Sequence, residues 1–171
     1  FSVGKSVLRV ACLYMPNGNP VNDDGNKLSD KFKYKLQWID KLKEFCVQRL
    51  ELEEPLVVTG DFNVIPHDID CYDPKIWEGD ALARDDVRQK FREICNLGFV
   101  EAVRNTSDEA ELYTFWDFQK GAWQKNNGIR IDHFLLSPEI AGKLVATSVD
   151  KHTRAWEKPS DHVPVRVEVD L

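Results

Sequence analysis

The sequence predicts an α/β fold, in which apolar strands alternate with amphipathic helices. Short runs of bulky and β-branched residues, such as Leu56–Val58, are typical of buried strands. Apolar residues recur at three- and four-residue spacing over residues 29–53, which indicates a long helix between strands. The 171 residues, of which 42% are hydrophobic and 30% charged, suffice for one domain with its own core.

The first predicted element is a strand over Ser6–Tyr14, which we expect at the centre of a sheet because it is largely apolar. It ends at Met15–Pro20, a cluster of turn-forming residues. Tyr14 therefore lies at a strand end, and the alternative for it is a core aromatic. The helix over residues 29–53 begins at Ser29 or Asp30 as its cap. We expect its lysines on a solvated face: Lys31, Lys33, Lys35, Lys41 and Lys43.

The strand that follows this helix ends in Gly60, Asp61, Phe62 and Asn63. Alternate side chains of a strand share a face, so we expect Asp61 and Asn63 to point the same way. A carboxylate and an amide at a strand end can orient a water molecule, bind a metal ion or donate to a phosphate oxygen. The alternative is a turn in which both side chains bond their own backbone. This stretch alone does not decide between the two.

The second half of the chain predicts further elements of both kinds. Residues 65–74 read as a surface loop near the site, because their aspartates lack the spacing and closing glutamate of a calcium loop. A second helix is predicted over about residues 84–97, followed by a strand-like aromatic stretch over Tyr113–Phe118. The remaining elements are a hairpin loop over Gly121–Gly128, a strand over Ile129–Ser137, a short helix over Pro138–Leu144 and closing strands over Val145–Val149 and Val163–Val169.

Two polar residues in this half are candidates for chemistry. Asp132 interrupts an apolar strand, where a charge needs a partner. His162, at the entrance to the last strand, can take a proton or stabilise charge at a phosphate, best with a carboxylate on its other nitrogen. Asp132 is the obvious carboxylate for this role. The alternative is that Ser160, Asp161 and His162 only cap a turn.

Composition excludes some classes of protein. The net charge of −6 argues against a chain that coats nucleic acid through an overall basic surface, but it leaves room for a local basic groove. No run is long and apolar enough to cross a membrane, and no signal peptide is recognisable, so we expect a cytoplasmic protein. We expect free, buried thiols of a reducing compartment at all four cysteines: Cys12, Cys46, Cys71 and Cys95.

Four ordered motifs resemble those of the exodeoxyribonuclease III family, the abasic-site endonucleases and 3′-exonucleases of the endonuclease/exonuclease/phosphatase superfamily. The motifs are Tyr14–Gly18, Gly60–Asn63, Arg130–Ser137 and Ser160–Val165, which together extend over nearly the whole chain. The resemblance implies a four-layer α/β sandwich, with two mixed sheets face to face and helices outside. It also implies a DNA-repair nuclease that hydrolyses DNA phosphodiesters with a divalent metal ion.

The resemblance further implies roles for single side chains. Asp61 positions or deprotonates the attacking water, and Asn63 holds a phosphate oxygen beside it. His162, oriented by Asp132, contacts the scissile phosphate and stabilises the charge that develops there.

The remaining roles concern the phosphate, the metal ion and the sugar. Tyr14 and Asn17 contact the phosphate from its other side. The metal ion, Mg²⁺ or Mn²⁺, lies at Asp61, Asn63 and Asp161. An apolar pocket for a flipped-out, base-less sugar is formed by Phe115, Ile129 and Ile131.

The implied partner is double-stranded DNA, especially DNA with abasic sites or 3′ ends, and not a membrane. The family's fold begins with strands and a helix that carry a metal-binding glutamate, whereas residues 1–43 contain no Glu. We therefore expect residues 1–171 to form a single incomplete domain, about the C-terminal two-thirds of the fold with the N-terminal part missing. We expect this portion to be weakly active or inactive alone, and to self-associate through an exposed N-terminal sheet.

Two other functions stay open at this point. The first is another hydrolase of the superfamily, acting on phospholipid, inositol phosphate or RNA tails; the Tyr14–Gly18 motif and the aromatic Tyr113–Phe118 stretch argue against it. The second is a DNA-binding module without catalysis. The presence of Asp61, Asn63 and His162 argues against loss of catalysis by mutation.

Overall fold

A computed structural model describes residues 2–3 and 6–171 of the chain. Its strands in chain order are β1 (Ser2–Val3), β2 (Ser6–Val7), β3 (Arg9–Tyr14), β4 (Leu56–Asp61), β5 (Val100–Glu101), β6 (Asp132–Leu136), β7 (Leu144–Val149) and β8 (Val165–Val169). Its α-helices are α1 (Asp30–Leu50), α2 (Pro74–Trp77), α3 (Asp85–Cys95), α4 (Ala102–Thr106) and α5 (Pro138–Ala141). Short 3-10 turns lie at Asp68–Asp70 and Lys151–Ala155.

The main sheet has four strands in the spatial order β3–β4–β6–β5. Strand β3 runs parallel to β4, whereas β6 is antiparallel to both β4 and β5. Strands β7 and β8 form a separate antiparallel pair, as do β1 and β2. Within the described residues β3 has a partner on one side only. The prediction of a central first strand is therefore wrong: four of the six residues of β3 are exposed, and β3 lies at an edge of the sheet that the described residues form.

The core is divided by the main sheet because strand side chains alternate between its two faces. Val58 belongs to a large apolar cluster with residues of α1 and α3, such as Phe32 and Phe91. Its neighbour Val57 lies in a second cluster, which includes Leu136 and the half-buried Val167 of β8. Helices α1 and α3 therefore pack on one face of the main sheet, and the β7–β8 pair packs on the other face, where α4 and α5 also lie. This arrangement confirms the α/β class.

Helix α1 begins at the cap that the sequence predicts. The Ser29 side chain accepts a hydrogen bond from Phe32 N at 3.0 Å, which satisfies one free donor of the first turn. Lys35 departs from its prediction, since it is 0% exposed. It lies three residues after Phe32 and four before Ile39, both buried, so it occupies the apolar face of the helix and not the solvated one.

Three other predictions of local structure need correction. Tyr113–Phe118 is not a strand: Phe115 pairs with Ile129 and with His162 through isolated bridges, and consecutive backbone groups bond different segments. Residues 65–74 are not simply a surface loop, because Asp70 is fully buried. The predicted buried thiols hold for Cys46 and Cys71, whereas Cys12 is exposed on the edge strand and Cys95 is half-buried; all four are free.

No helix in the described part of the chain combines the length and the apolar character that crossing a membrane needs. Val7 and Val10, on β2 and β3, are exposed apolar residues near the edge of the main sheet. Self-association through this region stays a prediction, and so does the assignment of residues 1–171 to one incomplete domain.

A buried cluster of charges joins the loop after β4 to β5 and β6. Asp70 accepts hydrogen bonds from Arg130 Nε at 2.8 Å and from Arg104 Nη2 at 2.6 Å. Arg130 Nη1 also lies 2.9 Å from Glu101 Oε1, as an ion pair without hydrogen-bond alignment. His133 completes the cluster, with Nδ1 3.1 Å from Arg130 Nη1 and Nε2 2.9 Å from Val64 O. Two carboxylates thus offset two guanidinium groups inside the core.

We expect Gly60→Ala to lower the free energy of unfolding by about 3 kcal/mol or more, from backbone strain and overpacking together. Gly60 has φ +131°, and a Cβ there would lie 2.0 Å from Leu13 O on the neighbouring strand. Gly79→Ala is the matched control, because Gly79 has φ +78° and open space around it. Denaturant unfolding measures both. Equal losses in the two variants would contradict the close approach of β4 to β3.

We expect the protein to lose stability as the pH falls from about 4.5 towards 2. Burial alone raises the pKa of Glu101, but His133 and Arg130 outweigh it and lower this pKa from 4.5 to about 2. The folded-state pKa is below the unfolded value, so the stabilisation is present above pH 4.5 and is lost as the pH falls through 2. Urea unfolding measures the free energy of unfolding between pH 2 and 5. This free energy should depend less steeply on pH in Glu101→Gln than in the exposed control Glu109→Gln. The same pH dependence of the free energy of unfolding in both variants would contradict this prediction.

Candidate active site

Three of the predicted polar residues lie side by side at the ends of three paired strands. The register pairs Tyr14 of β3 with Asp61 of β4, and Asp61 with Asp132 of β6. Paired residues of adjacent strands lie about 5 Å apart. This edge of the sheet therefore presents the hydroxyl-bearing Tyr14 beside the two carboxylates, Asp61 and Asp132. Tyr14 is 73% exposed, and the alternative of a core aromatic is therefore wrong.

Asp61 and Asn63 contact each other directly. Asn63 N donates to Asp61 Oδ1 at 2.8 Å, and Asn63 Nδ2 lies 3.2 Å from Asp61 Oδ2. Asn63 has φ 48°, in the left-handed region that asparagine tolerates better than most residues. The turn after β4, and not strand alternation, therefore brings the amide to the carboxylate. Asp61 also accepts a hydrogen bond from nearby backbone, as the alternative of a local turn predicts. The local turn and the pairing of the two side chains are therefore both present.

Asn63 also connects the ends of β3 and β4. Its Nδ2 donates to Met15 O at 2.8 Å, and its Oδ1 accepts from Asn17 Nδ2 at 3.3 Å. Asn63 is buried, whereas Asn17 is exposed at the surface of the same loop cluster. The two amides therefore form a short chain from the solvent to Asp61.

His162 and Asp132 form the pair that the sequence predicts. His162 Nδ1 lies 2.9 Å from Asp132 Oδ2 and 3.2 Å from Oδ1. With Nδ1 donating to this carboxylate, Nε2 is the ring nitrogen that faces Asp61, at 4.0 Å from Asp61 Oδ2. His162 N also donates to Ser160 Oγ at 3.1 Å, so the turn that was the alternative reading is present beside the pair.

The surroundings shift the pKa values of Asp61 and His162 in the direction that acid–base chemistry needs. Burial is the largest influence on Asp61 and raises its pKa; the Asp132 charge also raises it, and the Asn63 N–H opposes both. Burial alone would lower the pKa of His162, but the hydrogen bond and charge of Asp132 outweigh it, so the pKa is raised. Asp61 is thus a better base than a solvated aspartate, and His162 a better cation than a solvated histidine.

The segment around Thr114 holds both halves of the His162–Asp132 pair. Thr114 Oγ1 accepts from Asp132 N at 3.2 Å, and Thr114 O accepts from Val163 N at 2.8 Å. Phe115 stacks edge-on against His162, with ring centroids 5.0 Å apart. The aromatic stretch thus aligns β6 with the segment that precedes β8, although it is not itself a strand.

The remaining predicted residues lie nearby in different environments. Phe115 is half-buried, whereas Ile129 and Ile131 are buried in the main core, with Ile129 paired to Phe115. Asp161 is half-buried, its carboxylate near Ser160 Oγ at 3.4 Å. No group of three or more His, Cys, Asp or Glu side chains among residues 2–3 and 6–171 is arranged to hold a metal ion.

Sequence reasoning missed the buried side chains that bind the backbone of Asn63 and Val64. Lys35 donates to Asn63 O at 2.6 Å, and His133 contacts the next carbonyl, Val64 O, at 2.9 Å. Asp70 and Arg130 anchor His133 in turn. The spacing of Lys35 from Phe32 and Ile39 was a usable signal, because it places a lysine on an apolar helix face. Nothing local identified Asp70, whose partners are 34 and 60 residues away.

Comparison with known proteins places this geometry in a family. The profile of the Endonuclease/Exonuclease/phosphatase family matches residues 8–162. The chain is 28% identical to an exodeoxyribonuclease of Bacillus subtilis over 163 residues, which cover 95% of this chain and 60% of the relative.

Solved structures show the same likeness. An AP endonuclease from Archaeoglobus fulgidus has a TM-score of 0.85 at 33% identity, covering 95% of this chain and 61% of that protein. The 3′-5′ exonuclease NExo from Neisseria meningitidis has a TM-score of 0.89 at 40% identity, covering 96% and 62%. NExo was also solved as a 3′ phosphatase bound to a product DNA hairpin, with a TM-score of 0.87 at 39% identity over the same shares.

The chain spans about three-fifths of the length of these relatives. Within that span the structural likeness confirms the fold class that the four motifs imply. The family match extends over all four motifs except the last three residues of the fourth. The chain belongs to the endonuclease/exonuclease/phosphatase family.

Proposed function

We propose that this protein is a DNA-repair nuclease that hydrolyses DNA phosphodiesters at abasic sites and at 3′ ends. The observation that carries the proposal is the convergence of Asp61, Asn63, Asp132 and His162 from three separate parts of the chain. Relatives that are exodeoxyribonucleases, AP endonucleases and a DNA-bound 3′ phosphatase support DNA as the substrate. Of the two expectations for residues 1–171 by themselves, weak activity and inactivity, we propose weak activity.

The attacking group in this reaction is a water molecule, and Asp61 is the base. Its carboxylate is oriented by two contacts with Asn63, so that a carboxylate oxygen can accept a proton from water. The water oxygen bonds to phosphorus, the bond to the leaving oxygen breaks, and the proton of the water passes to Asp61. A positioned base of this kind contributes about 10²–10⁴-fold to a rate.

His162 stabilises the charge that develops on the phosphate. Asp132 holds Nδ1, so Nε2–H is aimed into the space beside Asp61 where the phosphate would lie. A protonated ring donates a charge-assisted hydrogen bond to a non-bridging oxygen, and the raised pKa of His162 keeps the ring protonated to higher pH. Tyr14 and Asn17, exposed at the end of β3, contact the same phosphate from the opposite side.

The family resemblance implies a divalent metal ion, and we propose Mg²⁺ or Mn²⁺ for this protein. The donors present fit Mg²⁺, which commonly uses one or two carboxylates and keeps several waters. Asp61 and Asp161 would hold it, with the amide oxygen of Asn63. When bound, the ion would neutralise charge on the phosphate.

We propose that Phe115, with Ile129 and Ile131 behind it, receives the base-less sugar.

The proposal predicts that Asp61→Asn reduces DNA cleavage by about 10²–10⁴-fold, because the amide cannot accept the proton of the water. Cleavage is measured under single-turnover conditions, with protein in excess and Mg²⁺ or Mn²⁺ added. The substrates are a duplex with one abasic site, a duplex with a recessed 3′ end, a duplex with a 3′-phosphate, and inositol phosphate. Asp108→Asn, on an exposed loop, is the control variant.

The pattern of substrates decides between the candidate functions. Cleavage of the DNA substrates alone, lost in Asp61→Asn and kept in Asp108→Asn, supports the proposal. Turnover of inositol phosphate in place of DNA would indicate another hydrolase of the family. DNA binding without cleavage, with either metal ion, would indicate a binding module and refute the catalytic role.

We expect Asp132→Asn to lower the pKa of His162. Burial lowers this pKa, and the hydrogen bond and charge of Asp132 outweigh it; without them only the weaker influences of Asp61 and Asp161 oppose burial. NMR titration of the His162 ring measures the shift. Asp150→Asn, which removes a carboxylate paired with Arg166, should leave the His162 titration unchanged. A His162 pKa that is the same in Asp132→Asn as in the unaltered protein would contradict the assignment.

A further inference from the structure

Three loops meet beneath the candidate active site at one buried cation. Lys35 Nζ donates to Asn17 O at 2.9 Å, to Asn63 O at 2.6 Å and to Ala81 O at 2.9 Å. These carbonyls belong to the loops that follow β3 and β4 and to the loop that precedes α3. Two of the three residues, Asn17 and Asn63, carry the amides of the site.

The ammonium is matched to this position by its number of donors. A lysine ammonium has three N–H donors and no acceptor, and the three carbonyls use all three. A neutral amine would leave one carbonyl without its donor, and an apolar side chain would leave all three. Each unsatisfied buried polar group costs about 1–3 kcal/mol. The ammonium therefore stabilises the meeting of the three carbonyls, and its removal favours their separation.

The aliphatic part of the Lys35 side chain, its stem, is also held in place by packing. A Cβ at Gly18 would lie 2.6 Å from Lys35 Cδ and 3.3 Å from Ala81 Cβ, so the loop after β3 packs directly on the stem. Lys35 is 0% exposed. Burial lowers its pKa from 10.5 to about 7, against the opposite influence of Asp80, Asp61 and Asp86. A buried cation without an ion pair among the described residues is costly, so a plain core position would favour an apolar side chain.

The contact at Asn63 has the most direct consequence for the site. Asn63 has a left-handed backbone, φ 48°, and its carbonyl is the one nearest to the ammonium. Rotating this backbone would move the amide away from Asp61 and from Met15 O, which it contacts at 3.2 Å and 2.8 Å. Asn17 is fixed in the same way through its own carbonyl.

We propose that Lys35 is a positioning residue of the active site: its buried ammonium ties together the three loop backbones and so fixes the Asn17 and Asn63 amides against Asp61. The role in cleavage rests on the proposed function, whereas the role in placing the amides does not. Lys35 itself does not reach the reacting atoms, because all its donors are engaged by backbone.

The test uses two variants that disturb Lys35 in different ways. Lys35→Met removes the ammonium, with the exposed Lys33→Met of the same helix as control. Gly18→Ala keeps the ammonium but displaces the stem. Its control is Gly25→Ala, because Gly25 has φ +91°, close to the +89° of Gly18, and nothing within 4 Å. Lys33→Met makes the same chemical change as Lys35→Met but leaves the three carbonyls untouched. Gly25→Ala introduces the same backbone strain as Gly18→Ala but does not touch Lys35.

The first readout is the NMR signals of the side-chain amides in the free protein. We expect Lys35→Met and Gly18→Ala to shift the signals of Asn17 and Asn63 and to leave that of Asn126, which is held by Glu111 in a distant loop. Equal shifts at Asn126 would mean that Lys35 supports the core in general and would overturn the proposal. Unchanged Asn17 and Asn63 signals in a folded Lys35→Met protein would overturn it as well.

The second readout is cleavage of the abasic-site duplex. Misplacing reacting groups by about 1 Å costs up to about 100-fold in rate, so we expect kcat to fall about 10- to 100-fold in both variants. We expect KM to change less than kcat, because misplaced catalytic groups lose interactions that are made mainly in the transition state. A loss that appears only in KM would contradict positioning. If the unaltered protein cleaves no DNA, the proposed function fails, and the amide signals still decide the role of Lys35.

Discussion

The pairing register of β3, β4 and β6 is the constraint on which the site depends. It sets Tyr14, Asp61 and Asp132 in one row across the end of the sheet. A slip by one residue would turn every side chain of a strand to the other face. The register is held by the apolar alternation of β4, with Val58 against the helices and Val57 against the second sheet, and by the close approach of Gly60 to Leu13.

Two buried cations lie under this row, and the protein accommodates them differently. Arg130 is neutralised by the carboxylates of Asp70 and Glu101, which suits the planar guanidinium and its several donors. Lys35 has no such partner among the residues that the structure describes and is satisfied by three backbone carbonyls. The first cluster links strands to the loop after β4, and the second links three loops to one another. Together they hold the backbone of Asn63 and Val64 from two sides.

The sequence was most informative where polar residues interrupt an apolar pattern. Asp132, unexplained within its strand, was matched to His162, and the structure joins the two at 2.9 Å. Prediction failed where long-range contacts override local pattern. Tyr113–Phe118 has the composition of a strand, yet its backbone groups bond Ile129 and the Asp161–Val163 segment in turn. Lys35 is polar on an apolar helix face, and composition alone assigned it to solvent.

The sequence by itself determined the class of fold, the start of the first long helix at Ser29 or Asp30, the strand that ends at Asp61 and the identity of the polar residues that meet. These follow from periodicity and from local hydrogen bonding, which are properties of neighbours in the chain. Only the tertiary structure decided that β3 lies at an edge of the described sheet, that Asp70 is buried between two arginines, and that Lys35 contacts the loops of the site. Each of these depends on partners tens of residues away, and no local pattern encodes which distant group will supply a hydrogen bond or a counter-charge.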